Sequence, residues 1–133
     1  MIYLPDTNVC ISYLRKKSTQ VTRKFQSLSP ADIALCDNVK AELWYGAHHS
    51  GHFDANRVLL ETFFAPFISL PFDSRAAEVY GRIRRELEVV GRPIGPYDLQ
   101  IAAIALVNDL ILVTHNTRKF SRINDLQIED WEV

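Results

Sequence analysis

Leu110-Ile111-Leu112-Val113-Thr114 constrains this 133-residue chain more than any other stretch. The run is apolar almost throughout, without the in–out alternation of a strand that faces water on one side. It therefore predicts a strand buried on both faces, as in the middle of a parallel sheet. Such a strand needs neighbours along both edges and helices above and below, because its backbone polar groups must all be bonded. Shorter runs supply the neighbours: Ile2-Tyr3-Leu4 (ended by Pro5), Ile33–Cys36, Phe67–Leu70 between two prolines, and Ile128–Val133. Helical stretches lie between them. The spacing predicts helices over Asn8–Lys17, Val21–Leu28 and Asp54–Phe64, and one to about His49 capped by Asp37 or Asn38. It also predicts a long helix over Arg75–Val90 capped by Asp73 or Ser74, a nearly all-apolar one over Asp98–Val107, and a short turn or helix near Thr117. Strands alternating with helices specify an α/β fold with a mainly parallel sheet.

Hydrophobic residues at 47% and charged residues at 23% match ordinary globular proteins, which excludes disordered and fibrous classes. The length suits a single domain over residues 1–133. A formal charge of −1 argues against a uniformly basic nucleic-acid-binding surface and leaves local basic patches open. Cys10 and Cys36 are too few and too isolated for a disulfide framework or a cysteine zinc site. With no signal-peptide pattern and no run long enough to span a membrane, the expected setting is the cytoplasm.

Three acids sit beside apolar runs, where a lone carboxylate is costly to bury. Asp6 directly follows the first strand, where open α/β sheets form their sites, and it equally suits a helix N-cap. Glu42 shares a helix face with Val39, Leu43 and Gly46, so it points toward a cleft or reaches water past the core. Asp98 stands in the first turn of the apolar helix, a position the helix dipole also favours.

Taken in order, four blocks resemble the PIN-domain nucleases, and among them the VapC-type toxins of bacterial type II toxin–antitoxin pairs. They are Asp6-Thr7-Asn8 after a strand, Glu42-Leu43-x-x-Gly46 on a helix, Tyr97 to Ala103, and Val113-Thr114-His115-Asn116-Thr117-Arg118-Lys119-Phe120. The resemblance spans essentially the whole chain. It implies a PIN-like three-layer α/β/α sandwich and a Mg²⁺- or Mn²⁺-dependent endoribonuclease whose metal is held at Asp6, Glu42 and Asp98. It also implies structured RNA as substrate, with transfer RNA foremost, and an antitoxin segment and a second toxin subunit as partners in a higher assembly. The chemistry agrees, because these ions prefer a few carboxylates and keep several waters. Carboxylates about 5 Å apart repel by roughly 3 kcal/mol per pair at an effective dielectric near 20, and a divalent ion offsets that repulsion. It also activates water and polarises the phosphoryl oxygen.

Many relatives carry a fourth acid in the block after the last long strand, where this chain has Thr114-His115-Asn116-Thr117. Asn116 brings an oxygen without charge, so its expected role is to position water outside the metal's own ligands, and the number of metals stays open. Asp125 lies beyond Phe120 in a loop and is a poor substitute. The basic set Arg118, Lys119 and Arg122 follows the same strand and is the expected phosphate contact, with Thr7, Asn8, Thr114 and His115 as further RNA-facing residues. His48, His49 and His52 straddle Ser50-Gly51, which reads as a solvated loop rather than a zinc site. Among Trp44, Tyr45, Phe63, Phe64 and Phe67, exposed members would suit a protein interface.

Two readings compete from outside the enzymes. One is a PIN-like scaffold that binds partners without catalysis. The other is a receiver-like signalling domain, which would carry its acceptor aspartate directly after a central strand. Asp98 instead follows Gly95-Pro96 and opens a helix. No GxGxxG or GK[ST] motif supports a dinucleotide or P-loop site.

Overall fold

Five short strands build the parallel sheet that the apolar runs predict. The computed structural model, which describes residues 1–133, places them at β1 (Tyr3–Pro5), β2 (Ala34–Cys36), β3 (Ile68–Leu70), β4 (Ile111–Val113) and β5 (Ile128–Glu129). β4 pairs in parallel with β1 on one side and β5 on the other, in the registers Leu4↔Leu112 and Leu112↔Ile128. β2 pairs in parallel with β3. A single parallel bridge, Tyr3↔Ile33, and a bond from Ile2 N–H to the Asp32 carbonyl (2.8 Å) join the two sets. The strand order is thus β3-β2-β1-β4-β5, and the progression of the chain across the sheet reverses between β1 and β4.

Burial confirms that the sheet is covered on both faces. Successive residues of β2 and of the end of β4 point to opposite faces, yet Ala34, Leu35, Cys36, Leu112 and Val113 are all fully buried. The covering helices are α1 (Thr7–Leu14), α2 (Thr19–Ser27), α3 (Asp37–His49), α4 (Phe53–Phe64), α5 (Ser74–Val89), α6 (Pro96–Val107) and the single turn α7 (Thr117–Phe120). A 3₁₀ turn at Pro30–Asp32 leads into β2. The result is the α/β/α arrangement expected from the sequence. α6 shows why its sequence carries almost no polar residue: every side chain from Ile101 to Ala105 is buried, and the helix packs along α5.

Several boundaries differ from the sequence expectation for local reasons. α1 stops at Leu14 because Lys16 takes a left-handed conformation (φ 53°). Lys16 N–H bonds to the Tyr13 carbonyl and Lys17 N–H to that of Ser12, a Schellman ending made without glycine. α3 begins directly from β2 with Cys36 in the cap position and no side-chain cap. Asp37 accepts a hydrogen bond from the Ser69 hydroxyl of β3 instead. α6 opens at Pro96, placing Asp98 third in its first turn. β5 is only two residues long, since Trp131 leaves the strand line to fill the core at 2% exposure. Of the surveyed aromatics, Phe63 and Phe64 are buried, Trp44 and Phe67 pack partly against the core, and Tyr45 is exposed. His48 ends up stacked on Phe53 at 4.1 Å between ring centroids. No helix is long and apolar enough to cross a membrane.

Candidate active site

Where strand order reverses in an open parallel sheet, the loops leaving the two strands diverge and leave a crevice at the carboxyl ends. Here that crevice lies beyond Pro5 and Val113. Asp6 is the first residue past β1, and its N–H continues the ladder by bonding the Val113 carbonyl at 2.9 Å. Glu42 reaches the crevice from α3 and Asp98 from the first turn of α6. Together with Thr7, Asn8 and Tyr97 these acids line a cleft of about 190 Å³. Three carboxylates far apart in sequence therefore share one concave surface.

Their environments differ. Asp6 is buried (8% exposed) and its Oδ1 caps α1 by accepting from the Val9 N–H at 2.9 Å. Both readings of this residue hold at once: it is an N-cap and it lines the cleft. Desolvation raises its pKa above the usual aspartate value, and the negative charge of Asp98 adds to the rise. The Thr114 hydroxyl, the Val9 N–H and the Lys119 ammonium act in the opposite direction. Glu42 is exposed at the mouth, and Asp98 is half-buried. The Asp98 Oδ2 receives a hydrogen bond from the Lys119 Nζ at 2.6 Å.

The raised pKa of Asp6 has a consequence for stability. The folded chain holds this proton more tightly than the unfolded chain. As pH rises from the ordinary aspartate value through the raised one, stability is lost, and above the raised value the full penalty persists. Asp6→Asn keeps the cap, since asparagine caps as well as aspartate, and removes the buried charge. In metal-free buffer at neutral pH the variant is expected to melt at a higher temperature than the parent. The gap should close as pH falls below the ordinary aspartate range, and scanning fluorimetry across pH checks it. A lower melting temperature for Asp6→Asn at neutral pH would contradict the assignment.

The block after β4 organises the other wall. The buried Thr114 accepts at its Oγ1 from the Asn116 N–H at 3.0 Å. Asn116, exposed, caps α7 by accepting from the Lys119 N–H at 3.3 Å. Its side chain thus sets the turn that carries Lys119 and does not line the acid cleft. Arg118 is exposed on the same turn. His115 faces away onto Asp130 (3.1 Å) and Glu132 (3.4 Å).

Tyr97 was not singled out as a site residue in the sequence, although it adjoins Asp98. Its hydroxyl donates to the Asn38 carbonyl at the start of α3. Asn38 Nδ2 donates in turn to Gln100 Oε1 at 2.7 Å, so α3 and α6 are tied together next to their acids. Burial pushes the Tyr97 pKa upward, and the charges of Glu42 and Asp98 push it further, which keeps the phenol a donor. The Thr7 hydroxyl, buried beside it, has no well-directed hydrogen bond. This donor set suits a hard divalent cation: only oxygen atoms, several of them anionic, and one hydroxyl left over. Outside this cleft, His115, Asp130 and Glu132 also bring their donor atoms within 4.8 Å of one another.

Comparison with known proteins agrees with this geometry. Residues 3–126 match the PIN domain model. The chain belongs to the PIN-domain family. It is 38% identical over 129 residues to the tRNA(fMet)-specific endonuclease VapC of Shigella flexneri, covering 97% of each chain. Among solved structures, this PIN domain superposes on the DNA-bound VapBC of Salmonella typhimurium with a TM-score of 0.92 at 35% identity, covering 98% of each chain. It superposes on VapBC2 of Rickettsia felis, bound to a promoter DNA fragment, with a TM-score of 0.91 at 34% identity, covering 98% of this chain and 99% of that one. The VapC-type resemblance and the PIN-like fold read from the four sequence blocks are borne out, and with them the nuclease class. The receiver-like alternative is left without support. The acidic cleft is of the kind in which PIN nucleases use a divalent metal.

Proposed function

We propose that this chain is the toxin of a type II toxin–antitoxin pair, a Mg²⁺-dependent endoribonuclease in which Mn²⁺ can substitute. The observation that carries the reading is the convergence of Asp6, Glu42 and Asp98 on one cleft at the strand-order reversal. These three residues would hold the ion. When bound, a divalent cation lowers the pKa of water and offsets charge on the phosphoryl oxygens. The chain's own groups do the rest. Tyr97 and Asn38 fix α3 against α6, so that Glu42 and Asp98 face the same substrate atoms. Asn116 holds the turn that presents Arg118 and Lys119 to the RNA backbone, whose charge makes binding salt-dependent. Thr7 and Asn8 offer neutral polar groups along the cleft, whereas Thr114 is buried beneath it and His115 turns to Asp130 and Glu132, so these two expected RNA contacts have no place in the reading.

Structured RNA, and transfer RNA first, is the substrate class favoured by the Shigella flexneri relative. The VapBC assemblies among the structural relatives support an antitoxin partner and a larger complex, and a toxin homodimer within it belongs to the same reading. A cytoplasmic location and a single catalytic unit over residues 1–133 complete the reading.

Metal removal tests it. Incubated with total transfer RNA, the purified chain is expected to cut at discrete positions in Mg²⁺. Cutting should cease in excess EDTA and return with added Mg²⁺ or Mn²⁺. Undiminished cleavage in EDTA would defeat the metal reading, and no cleavage under any condition would favour the scaffold that only binds partners.

A further inference from the structure

Lys119 places a positive charge against one carboxylate of the acid cleft. Its Nζ lies 2.6 Å from Asp98 Oδ2, with the lysine side chain 29% and the aspartate side chain 33% exposed. The Lys119 N–H is held by the Asn116 side chain, and the Nζ stands 5.4 Å from the ring centroid of Phe120, which is buried. The same charge is felt at Asp6. Counted formally, with every group ionised, three carboxylates and one ammonium carry a net charge of −2, the charge that one divalent cation neutralises. A second such ion would make the cleft net positive and would stand against the ammonium. We propose that Lys119 is a tethered cation filling the place of a second ion, so that the cleft takes one divalent ion and Lys119 competes with it for Asp98.

This inference rests on the metal-dependent reading above and concerns the number and affinity of ions rather than their requirement. With Asp98 engaged by a bound ion, the Lys119 ammonium would be released from it and would be available to a substrate phosphate as a point charge. Lys119 is therefore a positioning and charge-balancing residue in this proposal.

Mn²⁺ titration by isothermal calorimetry tests it on the intact chain, Lys119→Arg, Lys119→Gln and Lys119→Glu, with melting temperatures confirming that each is folded. The parent and Lys119→Arg are expected to bind one ion per chain. Lys119→Gln should bind one ion about tenfold more tightly, because the competing charge is gone. Lys119→Glu should bind a second ion. Two ions in the parent, or unchanged affinity in Lys119→Gln, would overturn the inference and leave the metal reading standing. No binding in any of the four proteins would overturn both.

Discussion

Asp6→Asn is expected to slow RNA cleavage at least ~100-fold while leaving the chain folded, since even groups that only orient a metal's ligands are worth 10–100-fold. The substitution separates charge from structure. Asparagine still accepts from the Val9 N–H, so α1 keeps the cap that Asp6 provides at 2.9 Å. What disappears is one carboxylate of the cleft. The same variant that melts higher in metal-free buffer should therefore be the least active, an opposition that separates a functional charge from a structural one. Asp98→Asn and Glu42→Gln are expected to lose activity as well. Discontinuous cleavage assays with saturating Mg²⁺ measure the loss, and near-parental rates in an Asp6→Asn, Asp98→Asn double variant would remove the carboxylates from the chemistry.

Trp131→Ala is expected to carry the largest stability cost in the molecule, about 3–5 kcal/mol for a buried tryptophan. Trp131 is 2% exposed and meets Phe25 at 5.3 Å and Tyr3 at 5.4 Å between ring centroids, both edge-on. Its Nε1 donates to Glu129 Oε1 at 3.0 Å. One side chain thus joins the β5 edge to β1 and to α2. Truncation would open a cavity between three elements and leave Glu129 with only Lys24, 3.6 Å away. A fall in melting temperature on the order of 10 °C should accompany it. Trp131→Phe, which keeps most of the apolar contact, is expected to lose markedly less. Equal losses in the two variants, or a change below about 1 kcal/mol in Trp131→Ala, would assign the packing elsewhere.

The parts of this fold that could be read from the sequence are those where local pattern and tertiary role coincide. β4 and α6 were legible because residues buried on all sides must all be apolar, and nothing else tolerates such runs. Asp6 was legible because the end of a central strand is where an open sheet forms its site. Boundaries were less so: α1 ends on the left-handed Lys16, and the segment after β5 gives up strand pairing so that Trp131 can enter the core. In the cleft, the three acids were identified, whereas Tyr97 and the pairing of Lys119 were not. Lys119 read as a phosphate contact among the basic residues Arg118 and Arg122. Its partnership with Asp98 depends on how α7 packs beside α6, 21 residues away in the chain, which no periodicity encodes. Arg122 likewise donates to the Pro93 carbonyl at 3.2 Å. The signal that was available is the Asn116 cap, three residues before Lys119, which fixes the direction in which α7 starts.

The strand order also determines when during synthesis this enzyme can first act. β1 leaves the ribosome first, yet one of its edges stays open until β4, residues 111–113, emerges to pair with it. Lys119, the partner of Asp98, follows β4 in the chain and emerges later still. A nascent chain holds half-built pieces of the cleft and no working one. During translation the cleft therefore stays incomplete until the last strands fold.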